Sequence, residues 1–249
     1  MKRIRTSLLC LAASVATLLC LGQARADELP NPPPDHWYGK IVRYDFIQPY
    51  AVVPPRRDGI LIDTRDTARR YEVGHIPGAI NLPAKQFDEL APRLLPADKN
   101  MLILFYCDGI ECKLSHMAAD DAEDLGYTNI RVYAEGFPDW FKRGNPYAIS
   151  AGHLKKLIDT AKAGTLLDLR ATAAYAHSHI PGALSLPADR FEQKAATVLP
   201  ADKNEPLVFY CDNSDARLSY AIARQATALG YTRVMLIEGG YPAWEKLIR

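Results

Sequence analysis

A chain of 249 residues is long enough for one large domain or two small ones, and 48% hydrophobic residues supply a core in either case. With 30 basic residues against 29 acidic ones the formal charge is +1. That balance excludes a strongly basic protein held to nucleic acid or to anionic lipid by its net charge.

The first 26 residues differ in kind from the rest. Lys2, Arg3 and Arg5 precede an apolar run from Leu8 to Leu21, and Ala24-Arg25-Ala26 puts small residues where a signal peptidase reads. This is the pattern of a secretory signal peptide cleaved after Ala26, too short and wrongly flanked for a stable membrane span. A periplasmic or secreted protein is expected. Cleavage removes four cations (Lys2, Arg3, Arg5, Arg25) and no acid, so the mature chain carries −3 and has neither nucleic acid nor membrane as an expected partner. It also removes Cys10 and Cys20 and leaves Cys107, Cys112 and Cys211. Three cysteines leave at least one thiol over, which favours chemistry over stapling. Residues 27–40 are Pro-rich and are expected to lie as an extended arm over the first domain.

Downstream of the arm the chain repeats itself. "LIDTRDTARRYEVGHIPGAINLPAKQFDE" at 61–89 returns as "LLDLRATAAYAHSHIPGALSLPADRFEQ" at 166–193, and "LPADKN" occurs at 95–100 and 199–204. "LFYCD" at 104–108 matches "VFYCD" at 208–212, "LGYTNIRV" at 125–132 matches "LGYTRVML" at 229–236, and "GFPDW" at 136–140 matches "GYPAW" at 240–244. The chain is therefore a duplication, with a first domain over 41–146 and a second over 147–249, each of ordinary size for an independent core. Apolar runs ("ILID", "MLILFYC", "TLLD", "PLVFYC") predict buried strands of a parallel sheet. The stretches "SHMAADDAEDLGY" and "SYAIARQATALGY" predict helices that stop at a glycine. Strand and helix alternate, so each copy reads as an open α/β sheet of about five strands with helices on both faces. The short link between them, near Gly144 to Ser150, predicts domains packed against one another.

In each copy a cysteine ends a strand and opens a short loop into a helix. The first loop runs Cys107-Asp-Gly-Ile-Glu-Cys112-Lys113-Leu-Ser115, the second Cys211-Asp-Asn-Ser-Asp-Ala-Arg217-Leu-Ser219. Unpaired backbone N–H groups and the helix dipole favour negative charge at such a place. A thiol with an ordinary pKa of ~8.5 is expected to ionise there, beside Lys113 or Arg217.

These motifs together resemble the rhodanese family of sulfurtransferases in both copies. The resemblance implies that Cys107 and Cys211 are catalytic, each taking a sulfane sulfur as a persulfide from a donor such as thiosulfate or another persulfide. Each would pass it to cyanide or to a thiol. Lys113, Arg217, Gly109, Ser115 and Ser219 would form the loops that bind the anionic donor, with no cofactor. Single-domain relatives commonly show a tighter loop. Here the serine falls eight positions after the cysteine, and Asp108, Glu111, Asp212 and Asp215 bring acids into a cradle meant for anions.

Three other readings compete. Six positions from Cys211 to Arg217 is the spacing of cysteine phosphatases of the same fold, but Tyr106 and Tyr210 stand where those enzymes place His. Cys107, Cys112 and His116 could converge on a metal in the first copy alone, although Cys112 reads better as a resolving thiol that closes a disulfide with Cys107 and switches that domain off. A non-catalytic sulfur carrier is the third. His75 and His179 of "HIPGA" read as hydrogen-bonded structural residues. Asp63 with Arg65, and Asp168 with Arg170, read as strand-end ion pairs, and Trp140 and Trp244 as core.

Overall fold

The computed structural model describes residues 37–212 and 216–249. The signal-peptide pattern, the Pro-rich residues up to 36, and Asn213 and Asp215 of the second cysteine loop lie outside the described residues.

Each copy forms one parallel five-stranded sheet. In the first, β1 (Ile41–Val42), β2 (Gly59–Asp63), β3 (Ile80–Asn81), β4 (Leu102–Tyr106) and β5 (Ile130–Tyr133) lie in the order β1-β5-β4-β2-β3. In the second, β6 (Tyr147–Ile149), β7 (Thr165–Asp168), β8 (Leu184–Ser185), β9 (Leu207–Tyr210) and β10 (Val234–Ile237) repeat it as β6-β10-β9-β7-β8. Around the first sheet lie α1 (Tyr44–Ile47), α2 (Phe87–Leu94), α3 (Leu114–Asp124) and α4 (Gly136–Lys142). Around the second lie α5 (Ala151–Asp159), α6 (Thr172–His177), α7 (Phe191–Val198), α8 (Ala216–Ala228) and α9 (Gly240–Ile248).

The central strands show why the runs are continuously apolar. Successive side chains of a strand point to opposite faces, and here both faces are covered by helices. Ile103 and Phe105 of β4 enter the core layer shared with Phe87 of α2 and Ala118, Ala119 and Ala122 of α3. Leu102, Leu104 and Tyr106 enter the opposite layer with Ile47 of α1 and Trp140 of α4. Strand β9 splits in the same way, Leu207 and Phe209 toward α7 and α8, Val208 and Tyr210 toward α5 and α9. Helix α3 stops where expected: Gly126 takes φ +87°, and the N–H of Tyr127 reaches back to the Ala122 carbonyl at 3.1 Å.

The carboxyl ends of the strands are tied by a buried ion pair in each copy. Asp63 and Arg65 are both buried, with a guanidinium Nη2 2.6 Å from Oδ2 and Nε 2.9 Å from Oδ1. Nη2 also donates to the Gly74 carbonyl at 2.7 Å. Burial opposes the Arg65 charge, but the Asp63 carboxylate outweighs it, so the guanidinium pKa lies above its ordinary value. Asp168 and Arg170 repeat this at 2.7 Å, with a bond from Arg170 to the Ser178 carbonyl at 2.6 Å.

All described residues belong to one unit, His36–Arg249, and the two sheets meet through backbone. His75 and Ala148 exchange hydrogen bonds of 3.0 and 2.9 Å, and the N–H of Ser150 donates to the Glu72 carbonyl at 2.9 Å. The short link thus docks on the loop that leads into the first "HIPGA".

Removing one partner of a buried pair leaves the other charge stranded. Asp63→Ala is therefore expected to cost about 3–5 kcal/mol in urea unfolding of the full chain; a loss below 1 kcal/mol would show that Arg65 finds another anion. A second expectation concerns His116 of α3, which is buried, stacks on Trp37 with ring centroids 4.8 Å apart, and has no hydrogen-bond partner on either ring nitrogen among the described residues. Desolvation pushes its pKa down from 6.5 to about 4. The unfolded chain binds this proton more readily, so stability present above pH 6.5 is lost as pH falls toward 4. Between pH 7 and 5 the native chain should lose about 2 kcal/mol more than His116→Phe, read from urea midpoints at the two pH values.

Candidate active site

The two cysteine loops sit at equivalent strand ends, and the fold builds them alike up to the sulfur. Tyr106 ends β4 and its hydroxyl accepts the N–H of Ile76 at 3.1 Å; Tyr210 accepts that of Ile180 at 3.2 Å. The tyrosines therefore brace the "HIPGA" turns. Each cysteine carbonyl is in turn capped by the following turn: that of Cys107 accepts the N–H of Phe137 at 3.0 Å, that of Cys211 the N–H of Tyr241 at 2.8 Å. Gly136 and Gly240 hold φ of +61° and +60°, and a Cβ at either would run into the cysteine carbonyl. This is why "GFPDW" and "GYPAW" begin on glycine.

Beyond the sulfur the two loops carry different residues. In the first, Gly109 takes φ +110° and its carbonyl accepts the N–H of Cys112 at 2.9 Å, a turn that brings Cys112 back over Cys107. The two are joined by a disulfide, with Cα atoms 6.3 Å apart. The buried Ser115 hydroxyl lies 3.5 Å from the Cys107 sulfur. Lys113 is exposed at the start of α3. Asp108, an acid expected to weaken anion binding, is engaged by Arg65 at 3.2 Å and Arg70 at 3.0 Å.

In the second loop Cys211 remains a thiol, 3% exposed, with its sulfur 2.9 Å from the Asp212 carbonyl oxygen. It lies on the wall of a cavity of about 730 Å³ together with Arg217 and Ser219. Arg217, in the first turn of α8, is exposed. Asp212 stands 3.9 Å from Arg170, a looser contact than its counterpart makes. Of the residues expected at the sites, Cys211, Arg217 and Ser219 are thus gathered on one cavity. Cys107, Cys112, Gly109 and Ser115 form one closed loop.

The other wall of the Cys211 cavity comes from the first copy: Val53, Pro54, Pro55, His75 and Ala79. Repeat-based reasoning missed these residues, because it compared each loop with its own copy. His75 is read correctly as hydrogen-bonded, its Nδ1 lying 2.8 Å from the Tyr71 carbonyl. Its Nε2, however, faces Glu238 of the second copy at 3.7 Å, and the Tyr71 hydroxyl donates to the same carboxylate at 2.8 Å. Burial lowers the His75 pKa against the pull of Glu238. His179, its counterpart, is exposed. The available signal was the absence of a match: "VVPPRR" at 52–57 and Glu238 have no equivalents in the other copy. Among the described residues no group of His, Cys, Asp and Glu gathers as a metal site.

Comparison with known proteins agrees with the duplicated architecture. The rhodanese-like domain family profile matches twice, over residues 53–143 and 150–247. The chain belongs to the rhodanese-like family. It is 36% identical over 86 residues to an HTH-type transcriptional regulator of Mycobacterium tuberculosis, covering 34% of this chain and 36% of that one. Over 95 residues it is 30% identical to the thiosulfate sulfurtransferase/rhodanese-like domain-containing protein 3 of Mus musculus, covering 34% and 59%. The chain thus spans between a third and three-fifths of the length of these two relatives. Among solved structures, a thiosulfate sulfurtransferase from Pseudomonas aeruginosa aligns over 85% of this chain and 43% of its own, at 20% identity and a TM-score of 0.37.

The glycine after the second strand end offers a direct test. Gly240→Ala is expected to cost about 1–3 kcal/mol in strain, seen as a lower Tm in thermal unfolding. An unchanged Tm would mean that the Cys211 carbonyl is free to move aside.

Proposed function

We propose that this rhodanese-like protein is a sulfurtransferase whose transferring residue is Cys211. One observation carries the reading: Cys211 is a buried thiol at a strand end, opening on a cavity that also holds a cation, Arg217, and a hydroxyl, Ser219. The Cys211 thiolate attacks the outer sulfur of a donor such as thiosulfate, the S–S bond breaks, and sulfite leaves with the bonding pair. The persulfide so formed is anionic, and the N-terminal end of α8 favours that charge. A thiophilic acceptor, cyanide or a thiol, then removes the outer sulfur and restores the thiolate. Arg217 balances the charge of the incoming donor.

The exported location belongs to the same proposal, supported by the 1–26 pattern and by a disulfide suited to an oxidising compartment. A phosphatase reading is weaker, because the tyrosines before each cysteine are spent on backbone hydrogen bonds.

Thiocyanate formation from thiosulfate and cyanide tests the proposal. Cys211→Ser should abolish the turnover that depends on this site, and Arg217→Ala should lower kcat/KM for thiosulfate about tenfold. Release of phosphate from p-nitrophenyl phosphate without any thiocyanate would replace sulfur transfer by phosphatase chemistry.

A further inference from the structure

The disulfide is the point at which the two copies part company chemically. From Cys107 to Ser115 and from Cys211 to Ser219 the loops have equal length, end equivalent strands and enter equivalent helices. Among the positions at which they differ, one adds a second sulfur. Position 112 is cysteine, whereas the corresponding 216 is alanine. The Gly109 turn folds Cys112 onto Cys107, so the second sulfur is delivered to the first one and to no other group. Cys107 is completely buried while Cys112 is half-buried at the loop surface.

We infer that the Cys107–Cys112 pair makes the first domain a sulfide-releasing site, in which a sulfur loaded on Cys107 leaves as hydrosulfide when Cys112 closes the disulfide. The inference rests on the family's persulfide chemistry proposed above, applied to a loop with its own second thiol.

In the loading step the Cys107 thiolate attacks the outer sulfur of thiosulfate, and sulfite departs with the electron pair of the broken S–S bond. In the release step the Cys112 thiolate attacks the inner sulfur, Sγ of Cys107. A new Cys112–Cys107 S–S bond forms and the bond from Sγ to the outer sulfur breaks. The outer sulfur leaves with that pair and, with the proton given up by Cys112, is hydrosulfide. The two cysteine sulfurs together lose two electrons and the sulfane sulfur gains them. The bonded pair in the structure is the product of this step. An external dithiol must return two electrons before the site can load again. Attack from within one loop has a large proximity advantage over any acceptor from solution, so Cys107 is unsuited to hold a persulfide for transfer. Cys211, which has alanine at the matching position, is suited to hold one.

The test uses the full chain carrying Cys211→Ser, reduced and freed of reductant, so that only Cys107 can carry sulfur. Thiosulfate or a low-molecular-weight thiol persulfide is added without acceptor; loading through the outer sulfur releases sulfite or a thiol, whereas attack on the inner sulfur of the persulfide donor, which frees sulfide directly, is recognised by a mixed disulfide on Cys107 in the Cys112→Ser chain. The expected result is one equivalent of sulfide per chain and a Cys107–Cys112 disulfide in non-reducing peptide mass spectra. Adding Cys112→Ser should stop the sulfide and trap one extra sulfur atom on Cys107. A persulfide that persists on Cys107 with Cys112 intact overturns the inference. So does failure of both donors to load Cys107 in the Cys112→Ser chain. These outcomes are separable from the Cys211 proposal, which is read in a Cys107→Ser chain.

Discussion

An arginine buried beside an aspartate at the end of the second strand of each sheet is the contact on which both sites depend. Arg65 is held by Asp63, reaches the backbone before "HIPGA" at Gly74, and touches Asp108 of the cysteine loop. Arg170 makes the same three connections to Asp168, Ser178 and Asp212. A guanidinium has donors enough for several loops at once and stays charged when buried beside a carboxylate. Aromatic faces complete the cage, Phe137 over Arg65 at 4.5 Å and Tyr241 over Arg170 at 3.9 Å. The cysteine loops are therefore positioned by charge and backbone hydrogen bonds, leaving the sulfur itself open to whatever its neighbours dictate.

Those neighbours differ. The second loop faces the first copy across a cavity, with the Pro54-Pro55 segment and His75 on the far wall. The first loop turns in on itself through Gly109 and closes on Cys112. The His75–Glu238–Tyr71 contact ties the first "HIPGA" turn to the turn after β10, so the wall of the Cys211 cavity and the junction between copies are one structure. Two copies of one scaffold thus present one cysteine in a shared cavity and one in a closed loop.

The fold was legible in the sequence because each signal for it is local. Strands β4 and β9 are continuous apolar runs, α3 and α8 stop at Gly126 and Gly230, and the constant spacing between the repeated blocks implies equal loops. The strand-end ion pairs were also legible, since Asp and Arg two positions apart at the end of a buried strand must satisfy each other. The cavity was not. Val53, Pro54 and Pro55 approach Cys211 only because the copies dock through His75 and Ala148, more than seventy residues apart in the chain.

The sequence by itself determined that there are two sheets, that each ends in a cysteine before a helix, and that only the first loop has a second thiol. Periodicity, repeat spacing and residue identity carry that information without reference to distant parts of the chain. Tertiary structure alone decided which cysteine opens on a shared cavity, which acid is neutralised, and that His75 and His179, identical in motif, lie one buried and one exposed. The physical reason is docking. A duplicated sequence writes the same local instructions twice, but the interface between the copies uses a different face of each, so equivalent residues end in inequivalent surroundings.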